Sequence, residues 1–380
     1  MMNVKNILTY AFVVLFIAVL LIPLLRSFSS VNDSTAWMEK REVAEFPSLQ
    51  FNKLDKFPKQ FNAFFNDHLG FRKYIMLANG IIKNDLFNVS SRPDKVIKGK
   101  DGWLYLARDD FNEDYYMNVN PFTENNLNAV CEEIQRRKDI LAELNIEYYL
   151  FMLPSKHHVY PENLPDNINQ LDTISRLDQF MNHMQSDYNV NVINTLDTVI
   201  QTKSDTAYFY DKDTHWNLHG AAFVYTVMMD ELKKRYSDLN ILNCMSWERK
   251  TTVIEHQGDL SLLMGRYDYK MKNNVVTVPP SDFKVNYESV AVGELPEKDK
   301  FLAAPERFVS NDSLAPKVVV MHDSFATLLK KFMATGFSES LFVWTHEFTP
   351  EIIEQEKPQI VIELMAERFL TQLQEKEIEK

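Results

Sequence analysis

The feature that most restricts the fold of this chain is an alternation of strand-like and helix-like segments from about residue 95 onward. Short apolar runs typical of strands alternate with segments whose apolar residues recur every three or four positions, the spacing of one helix face. The predicted strands are 146–153, 190–193, 317–321, 341–344 and 360–364, and the predicted helices are about 123–144, 173–184 and 218–236. This order predicts an α/β fold, in which a mainly parallel sheet has helices on both of its faces.

An uncharged apolar run precedes this pattern at residues 7–25, and it is long enough to cross a bilayer core as a helix. A cleaved signal peptide is the alternative. The run is longer than the apolar part of a usual signal peptide, and Arg26-Ser27-Phe28 stands where a small-x-small cleavage site would be expected. We therefore predict an uncleaved transmembrane signal-anchor over residues 1–26, with the bulk of the chain exported.

We divide the rest of the chain into two predicted parts. Residues 27–88 are interpreted as a stalk that leads into the α/β domain, and their aromatic residues are expected to pack on that domain rather than to bind sugar. Residues 89–380 are predicted to form the α/β domain itself. The region from about 245 to 316 is predicted to be an insertion within it, because its pattern is the least regular.

The charge and the cysteines exclude some classes of function. The net charge of −12 argues against nucleic acid as a partner, because a phosphate-binding surface normally carries an excess of basic residues. The only cysteines, Cys131 and Cys244, are too few for a zinc cluster or a disulfide-rich scaffold. One long-range disulfide is an alternative, but Cys131 shares the apolar face of a predicted helix, where a free thiol packs as a small hydrophobic group.

The first candidate for chemistry is the segment from Tyr210 to Asn217, which contains Asp213 two residues before His215. A carboxylate that orients an imidazole makes a general base. One alternative is a helix-capping acid beside a surface histidine. Another is a metal site that combines His215 with His219 and a nearby aspartate, which we rank lower because no third dedicated ligand is evident.

The second candidate is Ser324, which follows the apolar run 318–321 and therefore lies beyond the carboxyl end of a predicted strand. A serine at this position, deprotonated by His215, would be a nucleophile. A helix is predicted to begin after it, and the N–H groups of its first turn would be free to hold an oxyanion. The alternative is a helix-capping serine.

Together these motifs resemble the alginate O-acetyltransferase family, exported SGNH-hydrolase-like enzymes that acetylate the hydroxyl groups of polysaccharides. The central match is Asp213-Thr214-His215-Trp216 followed by Asp323-Ser324-Phe325. Further similar segments are Arg41-Glu42, Phe46-Pro47, Asp67-His68, Phe71-Arg72, Gly102-Trp103-Leu104, Pro154 with Lys156, Gly258-Asp259-Leu260, and Glu363 with Glu367-Arg368. One departure is His322, which occupies a place where glycine is usual.

The resemblance implies an SGNH-hydrolase-like three-layer sandwich and gives the catalytic roles to Ser324 as nucleophile, His215 as base and Asp213 as its orienter. It implies an enzyme outside the cytoplasm that needs no cofactor or metal. Its partners would be an acetyl donor, a polysaccharide acceptor and a multi-spanning membrane acyltransferase that supplies acetyl. Two other functions stay open, a carbohydrate acetyl esterase with the same three residues and a non-catalytic glycan-binding assembly protein.

Overall fold

We analysed a computed structural model of the chain, which describes residues 4–27, 42–49, 51, 54–107, 112–204, 206–254, 258–296 and 301–373. Arg41, one of the residues of the family resemblance, lies outside this part of the chain. The chain forms two compact units, Met1–Val96 with Asp259–Tyr269, and Ile97–Gly258 with Lys270–Lys380. The predicted division into residues 1–26, 27–88 and 89–380 stays a prediction, because compactness alone does not define a functional domain.

Helices and strands alternate through most of the second unit, as the sequence pattern predicts. The α-helices of the described residues, taken over both units, are α1 (Val4–Ser27), α2 (Phe57–His68), α3 (Arg72–Ile81), α4 (Asn112–Tyr116), α5 (Glu124–Glu143), α6 (Lys156–Val159), α7 (Arg176–Asp187), α8 (Leu196–Gln201), α9 (Leu218–Lys233), α10 (Asp259–Leu263), α11 (Lys330–Met333) and α12 (Pro350–Glu356). The strands are β1 (Val96–Lys98), β2 (Leu104–Leu106), β3 (Glu147–Leu153), β4 (Asn191–Asn194), β5 (Glu248–Ile254), β6 (Met271–Val278), β7 (Tyr287–Val290), β8 (Glu306–Ser310), β9 (Lys317–His322), β10 (Glu339–Trp344) and β11 (Ile360–Ala366).

The main sheet of the second unit has seven strands in the order β4-β3-β11-β9-β10-β8-β7. The first five are parallel, and β8 pairs antiparallel with both β10 and β7. The sheet is therefore mixed, with a parallel body and an antiparallel edge. This edge comes from the region 245–316, whose other two strands, β5 and β6, form a separate antiparallel pair.

Two hydrophobic clusters cover the two faces of this sheet, because successive side chains of a strand point to opposite faces. In β3, Tyr149 and Phe151 belong to the cluster that contains the apolar face of α9. The neighbouring Tyr148 and Leu150 belong to the cluster that contains the apolar faces of α5 and α7. The result is a three-layer α/β arrangement with helices on both faces, which confirms the predicted fold class.

The helix starts follow local capping rules that can be read in the sequence. Thr123 caps α5 by accepting a hydrogen bond from the N–H of Asn126, and Ser175 forms a capping box with Asp178 at the start of α7. Cys131 lies on the buried face of α5 as a free thiol, and Cys244 is likewise free and buried.

The first unit contains the apolar helix α1, in which Pro23 lies one turn before the last residue. Its 24 residues give a length of about 36 Å at 1.5 Å per residue, enough to cross a hydrocarbon core of about 30 Å. By length and composition it is the one such helix in the described part of the chain. A membrane anchor and a signal sequence both satisfy this criterion.

Candidate active site

The predicted base lies at the tip of a tight loop in the second unit. Phe209 and Trp216 form an isolated antiparallel bridge, and the N–H of Tyr210 donates to the carbonyl of His215. Asn217 then caps α9 by accepting a hydrogen bond from the N–H of Gly220 at 2.9 Å. The bridge therefore closes the loop that contains residues 211–215, and the cap fixes the start of the helix that follows the loop.

Two glycines allow the backbone to approach this loop closely. A Cβ on Gly220 would lie 2.2 Å from the carbonyl oxygen of Tyr208, and one on Gly258 would lie 2.0 Å from the carbonyl oxygen of Lys212. Real Cβ atoms are not found at such distances, so any larger residue would displace the loop.

The structure brings the three predicted site residues together. The ring N–H of His215 at Nδ1 donates to Oδ1 of Asp213 over 2.7 Å, and the backbone N–H of His215 donates to the same oxygen over 2.9 Å. Nε2 of His215 then accepts a hydrogen bond from the hydroxyl of Ser324 over 2.8 Å. Because an ionised carboxylate only accepts hydrogen bonds, the proton lies on Nδ1, and Nε2 is left as the acceptor that faces Ser324.

Ser324 lies beyond the carboxyl end of β9, which is a central strand of the sheet. The segment that follows differs from the expected regular helix. It is a 3₁₀ turn, Ser324–Leu328, and the four-residue helix α11 comes only after it. The N–H of Phe325 donates to the side chain of Asp323, and the N–H of Ala326 donates to the carbonyl of Asp323, so the expected free N–H groups are already paired.

The sequence reasoning assigned no role to the side chain of Asp323, which is 1 % exposed. Its Oδ1 accepts from the N–H of Phe325 over 2.8 Å, and its Oδ2 accepts from the N–H of Ala366 over 2.7 Å, at the end of β11. Asp323 therefore ties the turn that carries Ser324 to the neighbouring strand. The aspartate directly before Ser324 was visible in the sequence, but its second hydrogen-bond partner, Ala366, lies 43 residues away along the chain.

His219 and His322 do not join the three residues. His219 is buried and stacks near the ring of Tyr208, and burial lowers its pKa to about 4. His322 is also buried, its Nδ1 is bonded to the carbonyl of Asp323, and burial lowers its pKa to about 3. Both imidazoles are therefore neutral near pH 7 and packed in the interior.

Aromatic side chains form one wall of the site. The ring of Phe325 lies 5.1 Å from that of His215 and 4.9 Å from that of Trp216, measured between centroids. The guanidinium of Arg368 lies over the same phenyl ring at 5.2 Å. Phe325 therefore packs against both the proposed base and the tryptophan that follows it in the chain.

A cavity of about 400 Å³ is lined in part by residues of the two segments that carry the site. Thr327 and Leu328 belong to the turn that starts at Ser324, and Leu218 is the first residue of α9. Trp247 and Phe283 are among the aromatic residues of its lining. The cavity has the size and the mainly apolar lining that are usual for small-molecule sites.

The arrangement can carry out acyl transfer. The alcohol, the imidazole and the carboxylate form one continuous chain of hydrogen bonds, in which the base can accept the proton of Ser324 and the carboxylate stabilises the resulting imidazolium. The side chains of His215 and Asp213 are 24 % and 17 % exposed, so that a substrate can reach them.

Residues 96–305 match the sequence model of a family described as the SGNH hydrolase-like domain of the acetyltransferase AlgX. This range is more than half of the chain and includes Asp213 and His215, whereas Ser324 lies beyond its end. A comparison with curated protein sequences found no match.

Among solved structures, the chain is similar to PatB1 of Bacillus cereus, with a TM-score of 0.53, 16% identity, and coverage of 73% of this chain and 97% of the other. The structure of PatB1 with a sulfonyl adduct gives a TM-score of 0.55, 15% identity, and coverage of 73% and 96%. The O-acetyltransferase domain of AlgJ from Pseudomonas putida gives a TM-score of 0.45, 16% identity, and coverage of 74% and 99%. At these identities the two PatB1 structures support the fold alone.

Proposed function

We propose a function from the premise that the chain belongs to the AlgX family of SGNH hydrolase-like acetyltransferase domains. The protein transfers an acetyl group to hydroxyl groups of a polysaccharide outside the cytoplasm, and the reaction passes through an acyl-Ser324 intermediate. The observation that carries the proposal is the 2.8 Å hydrogen bond between Ser324 and His215, with Asp213 on the other side of the ring. Polysaccharide O-acetylation is the general activity that fits the family. The acyl-serine step and the roles of the three residues are our proposal.

In the first half-reaction the oxygen of Ser324 attacks the carbonyl carbon of an acetyl ester, and its proton passes to Nε2 of His215. The tetrahedral intermediate then collapses, the bond to the leaving oxygen of the donor breaks, and that oxygen takes the proton from His215. In the second half-reaction a sugar hydroxyl attacks the carbonyl carbon of the acetyl-serine, and its proton passes to Nε2 of His215. The bond between the acetyl carbon and the oxygen of Ser324 then breaks, and that oxygen takes the proton from His215. This scheme uses no metal and no cofactor.

The backbone N–H of Ser324 is our candidate for one donor of the oxyanion hole. No described residue accepts a hydrogen bond from it, whereas the N–H groups of Phe325 and Ala326 are paired with Asp323. A backbone N–H that is preorganised at the nucleophile can stabilise the negative oxygen of the tetrahedral intermediate.

We further propose that α1 anchors the protein in the cell membrane as a single pass, with the second unit on the periplasmic or extracellular side. The acetyl donor would then reach the site from a multi-spanning membrane acyltransferase. This partner and this orientation rest on the family relationship and on the length of α1.

The test uses the purified full chain with a labelled acetyl ester and a polysaccharide acceptor. The wild type should transfer label to the polysaccharide, and Ser324→Ala should abolish transfer while its thermal unfolding stays unchanged. Full transfer by Ser324→Ala would rule out the acyl-serine route. An esterase with the same three residues would instead release labelled acetate at a rate that added polysaccharide does not change, and a glycan-binding protein would leave Ser324 unlabelled.

A further inference from the structure

We infer that Lys156 is a positioning residue of the proposed acyl-transfer site, which fixes the loop of Asp213 and His215 relative to Ser324. The inference rests on the proposed function. It assigns to Lys156 an effect on the rate of the acyl-transfer step and no contact with the substrate.

The ammonium group of Lys156 is buried, with 3 % of the residue exposed. It donates hydrogen bonds to three backbone carbonyls, those of Leu104 at 2.8 Å, Asp211 at 3.0 Å and Asp213 at 2.9 Å. Two of the three acceptors therefore belong to the loop that carries the proposed base. A lysine ammonium has three N–H donors and can therefore bond all three carbonyls.

Aromatic rings surround the same ammonium group. It lies 4.9 Å from the ring of Trp103 and 5.2 Å from the ring of Tyr105, within the range of cation–π attraction. Hydrogen bonds to a charged donor are stronger than neutral ones, and burial strengthens them further. Lys156 therefore restrains the position of the Asp213 carbonyl.

Hydrogen bonds also connect the segment of Lys156 to the segment of Ser324, across the ends of three adjacent strands, β3, β11 and β9. Ser155, directly before Lys156, donates from its N–H over 2.9 Å and from its hydroxyl over 2.5 Å to Oε1 of Glu367. Glu367 directly follows Ala366, whose N–H donates to Asp323. The carboxyl ends of the three strands are thus joined by side-chain hydrogen bonds, and the chain of contacts runs from Asp213 to the residue before Ser324.

A third donor strengthens the middle of this chain of contacts. His158 donates from Nδ1 to Oε1 of Glu367 over 2.6 Å. Burial lowers the pKa of His158, but the charge of Glu367 and this hydrogen bond raise it more, so its net pKa lies above the usual value. Glu367 is fully buried, and its Oε1 accepts hydrogen bonds from both Ser155 and His158.

The consequence for catalysis follows from the geometry of proton transfer. The hydrogen bond from Ser324 to His215 must stay short for the attack, and a displacement of about 1 Å lowers the rate of such a step by about 100-fold. The three carbonyls bonded to Lys156 belong to the protein backbone, so its proposed role is to hold the loop and not to bind the substrate. Loss of Lys156 is therefore expected to lower kcat and to leave KM nearly unchanged.

The test compares Lys156→Met with Lys203→Met in the full chain, using p-nitrophenyl acetate. Lys203 is a matched control, because it also donates to a backbone carbonyl, that of Val159 at 2.9 Å, and lies 5.0 Å from the ring of Tyr160. Its other hydrogen-bond partner is the carboxylate of Glu162, and among the described residues it makes no hydrogen bond to the loop of Asp213. Activity is expressed per folded molecule, with the folded fraction measured by near-UV circular dichroism. Lys156→Met should lower kcat by about 100-fold with KM within twofold, and Lys203→Met should keep kcat within twofold.

The rate at which a sulfonyl fluoride labels Ser324 should fall in parallel in Lys156→Met, because this reaction also depends on the serine–histidine hydrogen bond. If Lys156→Met does not fold, Glu367→Gln is used to test the inference, because Glu367 bonds Ser155 next to Lys156. Glu367→Gln should lower kcat at least tenfold without a change in KM. Wild-type kcat in a folded Lys156→Met, or in Glu367→Gln when the first variant is unfolded, would overturn the inference. A wild type that neither cleaves the ester nor reacts with the sulfonyl fluoride would instead refute the proposed function.

Discussion

Replacing Asp213 with asparagine tests the orientation of the proposed base. Oδ1 of Asp213 accepts two hydrogen bonds from His215, one from the ring at 2.7 Å and one from the backbone N–H at 2.9 Å. An amide of the same size can keep its oxygen in this place. The backbone N–H requires an acceptor there, so the structure favours the asparagine oxygen, rather than its NH2 group, facing His215.

The expected loss in Asp213→Asn follows from this orientation. His215 keeps its proton on Nδ1, and the only loss is the negative charge that stabilises the imidazolium during attack. A hydrogen bond to a charged group contributes about 1.5–3 kcal/mol, which corresponds to a loss of about 10- to 150-fold in rate. If the amide turned its NH2 group to the ring, the wrong tautomer would form, and serine enzymes lose about 10⁴-fold in that case.

The assay is the pre-steady-state acylation rate with p-nitrophenyl acetate, together with thermal unfolding as a control for the fold. A loss of 10- to 150-fold with an unchanged melting temperature supports the two-bond geometry. A loss below about threefold would show that Asp213 does not act on the base, and a loss near 10⁴-fold would show that the backbone N–H of His215 does not hold the oxygen in place.

Three further predictions concern stability and reactivity. Arg137→Met leaves the buried carboxylate of Glu363, bonded to Arg137 at 2.7 Å, without its cation, and should cost about 3–5 kcal/mol in urea unfolding; a loss below about 1 kcal/mol would contradict this. The pKa of His322 is lowered to about 3 by burial, so the unfolded chain takes up a proton below about pH 6.5 that the folded chain does not. The free energy of unfolding should therefore fall from pH 6.5 toward pH 3. In His322→Leu the urea midpoint should depend less on pH over this range, and an unchanged pH dependence would contradict the prediction. Cys131 and Cys244 are buried, and burial raises the pKa of the Cys131 thiol to about 12, so both should react with a thiol reagent only after unfolding; fast labelling of the native protein would contradict this.

Much of the architecture could be predicted because its signals are local. The predicted strand at 317–321 is β9 to within one residue, and the predicted helix at 123–144 is α5 with Thr123 as its cap. Apolar periodicity and capping residues lie within a few positions of each other along the chain, so a single sequence records them. The rule that parallel sheets place working residues at their carboxyl ends then located Ser324.

The antiparallel edge of the sheet could not be predicted in the same way. Strands β7 and β8 come from the region 245–316, and the pairing of β8 with β10 depends on a register set by residues about 30 positions apart. The turn after Ser324 was expected to be a regular helix, but it is a 3₁₀ turn that is capped by the carboxylate of Asp323 through the N–H of Phe325. The strand pairing depends on contacts far apart along the chain, whereas the turn depends on which of two local hydrogen-bond patterns the segment adopts, and the sequence alone does not decide between them.

The sequence by itself determined the types of the secondary-structure elements, the apolar N-terminal helix, and the three residues proposed for the chemistry. Only the tertiary structure decided that His215 lies 2.8 Å from Ser324, that His219 and His322 are packed away from them, and that Lys156 supports the loop of Asp213. The reason is physical: periodicity and capping depend on neighbours along the chain, whereas these contacts join the ends of different strands, and the sheet order that brings the strands together is a property of the whole core.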